Sequence, residues 1–498
     1  MRKIFLNIFF IAILSQSIIS CSKQLDQTPV SSTTTGNFYS NANDFKQAVT
    51  GAYAQLNNFP EQALWLGEMR SDNINAVSDG NRDWDGINNF STSIGSTTFI
   101  SDAWQDNFNG IYNVNSVLEA LDEKGSILTN TSLKTRYYGE LYFLRAFYYF
   151  QLVKEFGQVP IVTTPVTVSE ITQIPRSEVS DVYNLIVSDL KQAINILPAT
   201  YDAADIGRAT LGAANALAGQ VYLTKSGPTY DINGPGINAN QYDSASYYFD
   251  QVINSGTYSL QNNYTDIFSY TNENNSEVIF DVQAKSGTNG SAFPSYLVPV
   301  AYWVSLGISN SYGNGYGTSV FNITNNLKTS YEPSGTVQDI RDTFNINYTY
   351  KVSTFFKKYI NINYKGSNGK DWPINFIVLR YADILLMKAE SILNGGTGST
   401  AEALGYVNQI RARAGLSALT SLTISSLLEE RRREFAGEGL RWNDLIREGQ
   451  AVTTINSWIA SDGLSSQISN ATNNSILYPI PTAQISTSNG LYTQNPGY

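Results

Sequence analysis

Histidine is absent from this 498-residue chain, and cysteine occurs once, at Cys21. Ser-His-Asp and Cys-His catalysis are thereby excluded, as are the common zinc sites, because the bases and ligands they need are missing. One cysteine cannot form a disulfide within the chain, so stability must come from packing. Charged residues make up only 15%, and the net charge of −10 would deepen if Arg2 and Lys3 were removed. That balance argues against nucleic acid or anionic lipid as the main partner. Past the N-terminus no apolar run reaches the ~20 residues that a membrane-spanning helix needs.

Aromatic residues, in contrast, are plentiful: 32 Tyr, 23 Phe and 7 Trp, among abundant Ser, Thr and Asn. Such a surface suits neutral, hydroxyl-rich ligands better than ionic ones. The N-terminus has the layout of an export signal. A basic start (Met1-Arg2-Lys3) leads into an apolar run from Ile4 to Leu14 and then to Ile18-Ile19-Ser20-Cys21. A cysteine directly after such a junction resembles a bacterial lipoprotein signal. Residues 1–20 are then the leader, Cys21 the site of lipid attachment, and 21–36 the anchor and a flexible spacer. Multiple acyl chains, at about 0.8 kcal/mol per buried CH2, make a stable tether.

From residue 37 to 498 the pattern is helical and recurs in pairs. Phe45, Ala48, Val49 and Tyr53 share one helix face, with Trp104, Phe108, Ile111, Tyr112 and Leu118 as a partner. Tyr138–Phe156 pairs with Val179–Leu197, Leu211–Leu223 with Tyr242–Ile253, and Ile377–Leu393 with Ala401–Ala412. In the third pair Ala214 and Ala218 lead to Tyr222, and Ala245 to Phe249, each at a step of four. Small residues let two helices approach closely while an aromatic fills the space above. This predicts an all-α, mostly helical chain: a tetratricopeptide-like superhelix of helical pairs carrying long irregular loop insertions. A non-repeating helical bundle is the alternative. The two longest irregular stretches are Asp72 to Ser101 and Gln283 to Pro373, with turn signals at Asp85-Gly86 and Asn314-Gly315. Long loops in a compact protein are usually functional.

The segments themselves resemble a family. Leu141 to Phe150 (LYFLRAFYYF), Phe156 to Pro160, Gly207 to Thr210, Leu379 to Glu390 (LRYADILLMKAE), Glu430 to Phe435 (ERRREF), Gly439 to Arg447 and the closing Gln494 to Tyr498 are similar, in order, to the SusD/RagB family of outer-membrane lipoproteins. The resemblance covers essentially the whole chain and implies a single SusD-like helical domain over 37–498. Its N-terminal part spans about 37–225 and its C-terminal part about 265–498. It further implies a glycan-binding lipoprotein on the outside of the outer membrane. Such a protein passes its ligand to a SusC-like TonB-dependent transporter and does no chemistry on it, without cofactor or metal. A peptide-binding member of the same family is the alternative, and a carboxylate-based glycosidase a remoter one, since nothing in the sequence pairs two carboxylates.

Sugar rings stack their C–H faces on aromatic side chains and need amide, carboxylate or Arg partners for their hydroxyls. Family members place ligand-contacting aromatics in loops comparable to two segments here. The first offers Trp84 as a stacking platform with Arg82, Asp85 and Asn88 as hydrogen-bonding residues. The second offers Trp303, with Tyr296, Tyr302 and Tyr312 nearby. Both tryptophans have a plain alternative as core. Asn81-x-Asp83-x-Asp85-Gly86 echoes an EF-hand start, but Thr92 stands where a bidentate Glu is required, so no calcium is predicted. The family-like charged motifs also read as scaffold, with Glu430/Arg433 and Arg431/Glu434 spaced for ion pairs along a helix and Arg380/Asp383 able to do the same.

Overall fold

The structure, a computed structural model, describes residues 38–76, 84–296, 298–309, 312, 321–334 and 337–498. Eleven helices of seven residues or more carry the described fold: α1 (Ala42–Ala54), α2 (Thr98–Lys124), α3 (Thr131–Phe156), α4 (Val179–Ile196), α5 (Leu211–Ser226), α6 (Tyr242–Ile253), α7 (Tyr381–Leu393), α8 (Thr400–Arg413), α9 (Ile424–Phe435), α10 (Arg441–Arg447) and α11 (Ala451–Ser461). From α1 to α8 each helix packs on the next, so the helical pairs expected from the sequence form a continuous stack. Their starts are chemically marked. The Asn41 side chain accepts from the Asn43 and Asp44 backbone N–H groups, and the Asp44 carboxylate accepts the Asn41 N–H in return. Thr210 caps α5 and Ser399 caps α8 in similar fashion.

Helix α3 is buried nearly all round, from Tyr137 to Phe156, as a central helix must be. A small residue of α5 that the spacing did not single out admits an aromatic of α6. A Cβ on Gly219 would stand 2.4 Å from the Phe249 ring of α6, so the aromatic occupies the space that the glycine leaves. One turn on, Tyr222 stacks against Tyr248 with ring centroids 5.5 Å apart.

Four short strands tie the irregular segments to this stack. Strand β1 (Ile74–Ala76) pairs antiparallel with β3 (Phe321–Ile323), and β2 (Val278–Val282) with β4 (Phe376–Arg380). The helix expected over Ile377–Leu393 therefore starts late: Phe376 to Arg380 is a strand and the helix begins at Tyr381. Ile377 and Val378 are β-branched, and Val278–Val282 supplies a partner that periodicity alone does not reveal. Arg380 turns the chain from strand to helix. Its buried guanidinium contacts Glu277, Glu434 and Glu438.

That contact belongs to an extended buried ion network. Glu434 also meets Arg341 at 3.0 Å and Arg413, while Glu430 meets Arg341, Arg411 and Arg433. The Glu430–Arg433 spacing forms its pair within α9. Arg431 and Glu434 instead reach other elements: Arg431 holds Asp383 and Asp444, each at 2.8 Å. The charged family motifs thus hold the scaffold together, and Trp442 among them is core, at 2% exposure.

Candidate functional site

The two long irregular stretches meet. Through β1 and β3, Ile74 faces Ile323 and Ala76 faces Phe321, joining the segment after residue 72 to the one before residue 373. Just ahead of β1 the chain runs through two abutting helical turns, Phe59–Gln62 and Ala63–Glu68. This run is pinned from behind. The buried Glu68 carboxylate accepts from Asn73 Nδ2 at 2.8 Å and from the Gly437 and Gly439 N–H groups at 3.0 Å each. The backbones come so close that a Cβ on Gly67 would stand 2.0 Å from the Gly439 carbonyl oxygen. The family-like segment following α9 therefore fixes the position of residues 59–68.

Between that run and the start of α2 opens a cleft of about 260 Å³, lined by Asn58, Glu61, Gln62, Trp65, Phe99, Asp102 and Asp106 with Leu66 and Ala103. A single water needs about 10–15 Å³, so the space is an order of magnitude larger. Its walls are joined by a hydrogen bond from Asn107 Nδ2 on α2 to Gln62 Oε1, 3.2 Å. Glu61 is oriented on both oxygens: Oε1 accepts from Trp65 Nε1 at 3.3 Å and Oε2 from the Tyr296 hydroxyl at 2.9 Å. Rings surround it. Trp65 lies 4.9 Å from Phe99, 5.8 Å from Trp84 in a near-parallel stack, and 6.1 Å from Tyr296. Phe99 and Tyr296 remain half-buried.

Asp102 and Asp106 lie at i and i+4 on one face of α2. Burial pushes Asp106 up to about 6, Asp102 and Glu61 push the same way, and a hydrogen bond from Asn58 opposes them. Burial raises Asp102 as well. Among the described residues no group of histidines, cysteines or carboxylates is placed to hold a metal ion. A second concavity, of about 180 Å³ beside Tyr201, Arg208 and Tyr258, lies at the α4–α5 connection against β2.

Two of the residues picked from sequence, Trp84 and Tyr296, thus come together around Trp65, though they derive from different loops. The roles expected of several others are corrected. Trp84 is 2% exposed and its face is spent on Trp65, so it offers no open platform. Trp303 is fully buried against Trp372, 5.7 Å between centroids, and is core. Tyr312 is buried on the same two rings, its hydroxyl given to the Gly366 carbonyl. Asn88 is fully buried and committed to backbone: it donates to the Met69 and Ile74 carbonyls and accepts from Ala76 N–H, thereby anchoring β1. Asp85 is buried on the same short turn, Asp85–Asn88. Tyr302 is half-buried in a separate aromatic group with Tyr350 and Phe355, beside the exposed Val304. Cys21 and Arg82 lie outside the described residues, as do Asn81 and Asp83 of the EF-hand-like stretch.

A family model described as the SusD family matches residues 237–498, and one described as starch-binding associating with outer membrane matches residues 23–223. The chain belongs to the SusD family. A SusD-like protein of Formosa agariphila is 27% identical, covering 89% of this chain and 90% of its own length. The starch-binding protein SusD of Bacteroides thetaiotaomicron is 33% identical over 24% of this chain. Among solved structures, a laminarin-binding SusD-like protein superposes with a TM-score of 0.73 at 25% identity, covering 92% of this chain and all of the other. The surface glycan-binding protein A of Bacteroides thetaiotaomicron, in complex with laminarihexaose, shares the fold with a TM-score of 0.74 at 23% identity, covering 92% of this chain and all of its own.

The cleft is lined by residues that were not among those singled out in the sequence. Glu61, Trp65, Asp102 and Asp106 lie outside the two stretches expected to be irregular, and Phe99, inside the first of them, opens helix α2 instead. The signal that was there is the Asp102/Asp106 repeat. Like charges at i and i+4 destabilise a helix, and such a cost is tolerated where something else uses the charges. Among the described residues no helix is long and apolar enough to cross a membrane.

Proposed function

We propose that this protein is a cell-surface lipoprotein, anchored through Cys21, that captures an oligosaccharide and delivers it to a SusC-like TonB-dependent transporter for import. The observation that carries the reading is the cleft itself. The half-buried ring of Phe99 presents a C–H-stacking surface next to Glu61, which Tyr296 holds from behind, and to Asp102, Asp106 and Asn58, which accept or donate to sugar hydroxyls. Family membership supports it, and so does the laminarin binding of one solved relative of the same fold. The protein's part is binding. It orients a ring between an apolar face and a row of acceptors, and release to the transporter needs no bond made or broken.

A glycan-array screen of the mature chain, run beside Phe99→Ala and Tyr302→Ala variants, tests this. Binding to at least one neutral glycan is expected, weakened about tenfold by Phe99→Ala, since one aromatic stack contributes about 0.5–1.5 kcal/mol beyond area burial. Tyr302→Ala is expected to bind normally. Loss with Tyr302→Ala alone would move the site to the Tyr302–Tyr350 group, and an array without hits would overturn the glycan reading. Co-purification of a TonB-dependent transporter under mild detergent is the companion expectation, and its failure with both proteins expressed would refute delivery.

A further inference from the structure

The carboxylates of the buried ion network are matched by cations. Glu434 is met by three arginines, Glu430 by three, and Asp72 by Arg432 and Arg441 at 3.1 and 2.9 Å. The cleft breaks that habit. Among the described residues its lining holds three carboxylates, Glu61, Asp102 and Asp106, and no lysine or arginine. Asp102 is exposed, whereas the other two are set into the fold. Glu61 is held on both oxygens by Trp65 and Tyr296, and Asp106 is half-buried beside Asn58. Nor are they spaced to share a metal ion. A concave space whose described lining holds three carboxylates and no cation attracts a cation and repels an anion.

We propose that the cleft sorts glycans by charge, taking sugar units that carry a protonated amine ahead of neutral ones and turning away units that carry a carboxylate or sulfate. An ammonium group has three donors and no acceptor, which matches a lining whose carboxylates only accept. A uronate or sulfated unit brings acceptors alone into a site already rich in them, with like charge added. The inference rests on the glycan-capture reading and assigns the ligand class of that same cleft, with Asp102 and Asp106 as its specificity-determining residues.

Affinity electrophoresis tests it, with gels containing laminarin, amylose or mannan, each unmodified, oxidised at C6 to the carboxylate, or aminated at C6. Three proteins are compared: the unchanged chain, Asp102→Asn/Asp106→Asn, and Glu119→Gln/Glu123→Gln. The last removes the same charge from exposed positions on α2 roughly 20 Å further along, at 1.5 Å per residue. For the polymer that binds, the aminated form should be held at least tenfold more tightly than the neutral one, and the oxidised form at least tenfold more weakly. The Asp102→Asn/Asp106→Asn variant should bring all three within about threefold, whereas the distant variant keeps the order. An oxidised polymer held as tightly as the neutral one overturns the proposal, as does an order that survives Asp102→Asn/Asp106→Asn. If the neutral polymer binds and only the order fails, the charge proposal alone falls. If no form of any polymer is retained, the glycan reading falls with it.

Discussion

Asp106 ionises against burial, against Asp102 and against Glu61, which is why its pKa stands at about 6. The sign of the consequence is fixed by linkage. An unfolded Asp titrates near 3.9, so between about pH 4 and pH 6 the native state holds more protons than the unfolded one, and stability declines as pH rises through that window. Asp106→Asn should therefore raise the thermal midpoint by a few degrees at pH 8 and leave it unchanged at pH 4. A gain of equal size at both pH values would mean that the charge is not the cause. Because the group is partly open to water, the effect is modest. At this scale the sequence was least legible. Trp84 stands in a polar, Gly-flanked loop with no periodicity to bury it, so exposure was the reasonable expectation; Trp65, whose ring covers it, belongs to a different segment. Asn88 misled for a related reason: an amide suited to a sugar hydroxyl is equally suited to two backbone groups of β1 and the Met69 carbonyl.

At the scale of elements, periodicity carried most of the information. The helical pairs appear where apolar spacing of three and four placed them, because each pair buries one stripe against its neighbour. The failure at Ile377 to Arg380 is of another kind, since strand pairing with Val278–Val282 is a long-range choice. Spacing of charges along α9 was likewise only half informative: Glu430 and Arg433 pair locally, but Glu434 serves β4, α8 and Arg341 at once. Those contacts depress Glu434 well below the usual carboxylate range despite complete burial. Glu434→Gln leaves three buried guanidiniums short of a partner and should cost about 3–5 kcal/mol in urea denaturation. A loss below about 1 kcal/mol would show that the remaining carboxylates of the network re-pair around the gap.

For the molecule as a whole, the proposed anchor and the proposed cleft predict separable roles: Cys21→Ser should move the protein from the membrane pellet to the soluble fraction after cell disruption and leave glycan affinity within about twofold. A variant that stays with the membrane would point to a second attachment. The overall stack and the family were readable because they rest on patterns repeated along the chain; the cleft was not, because it is assembled once, from two segments that meet only in the folded state. The β1–β3 ladder sets a condition on anyone wishing to transplant specificity between relatives. Ile74 to Ala76 and Phe321 to Ile323 supply each other's edge, and Asn88 ties the first of them down. A chimera that imports one long loop alone inherits a strand cut for an absent mate, so the two loops behave as one exchangeable cassette despite lying more than two hundred residues apart.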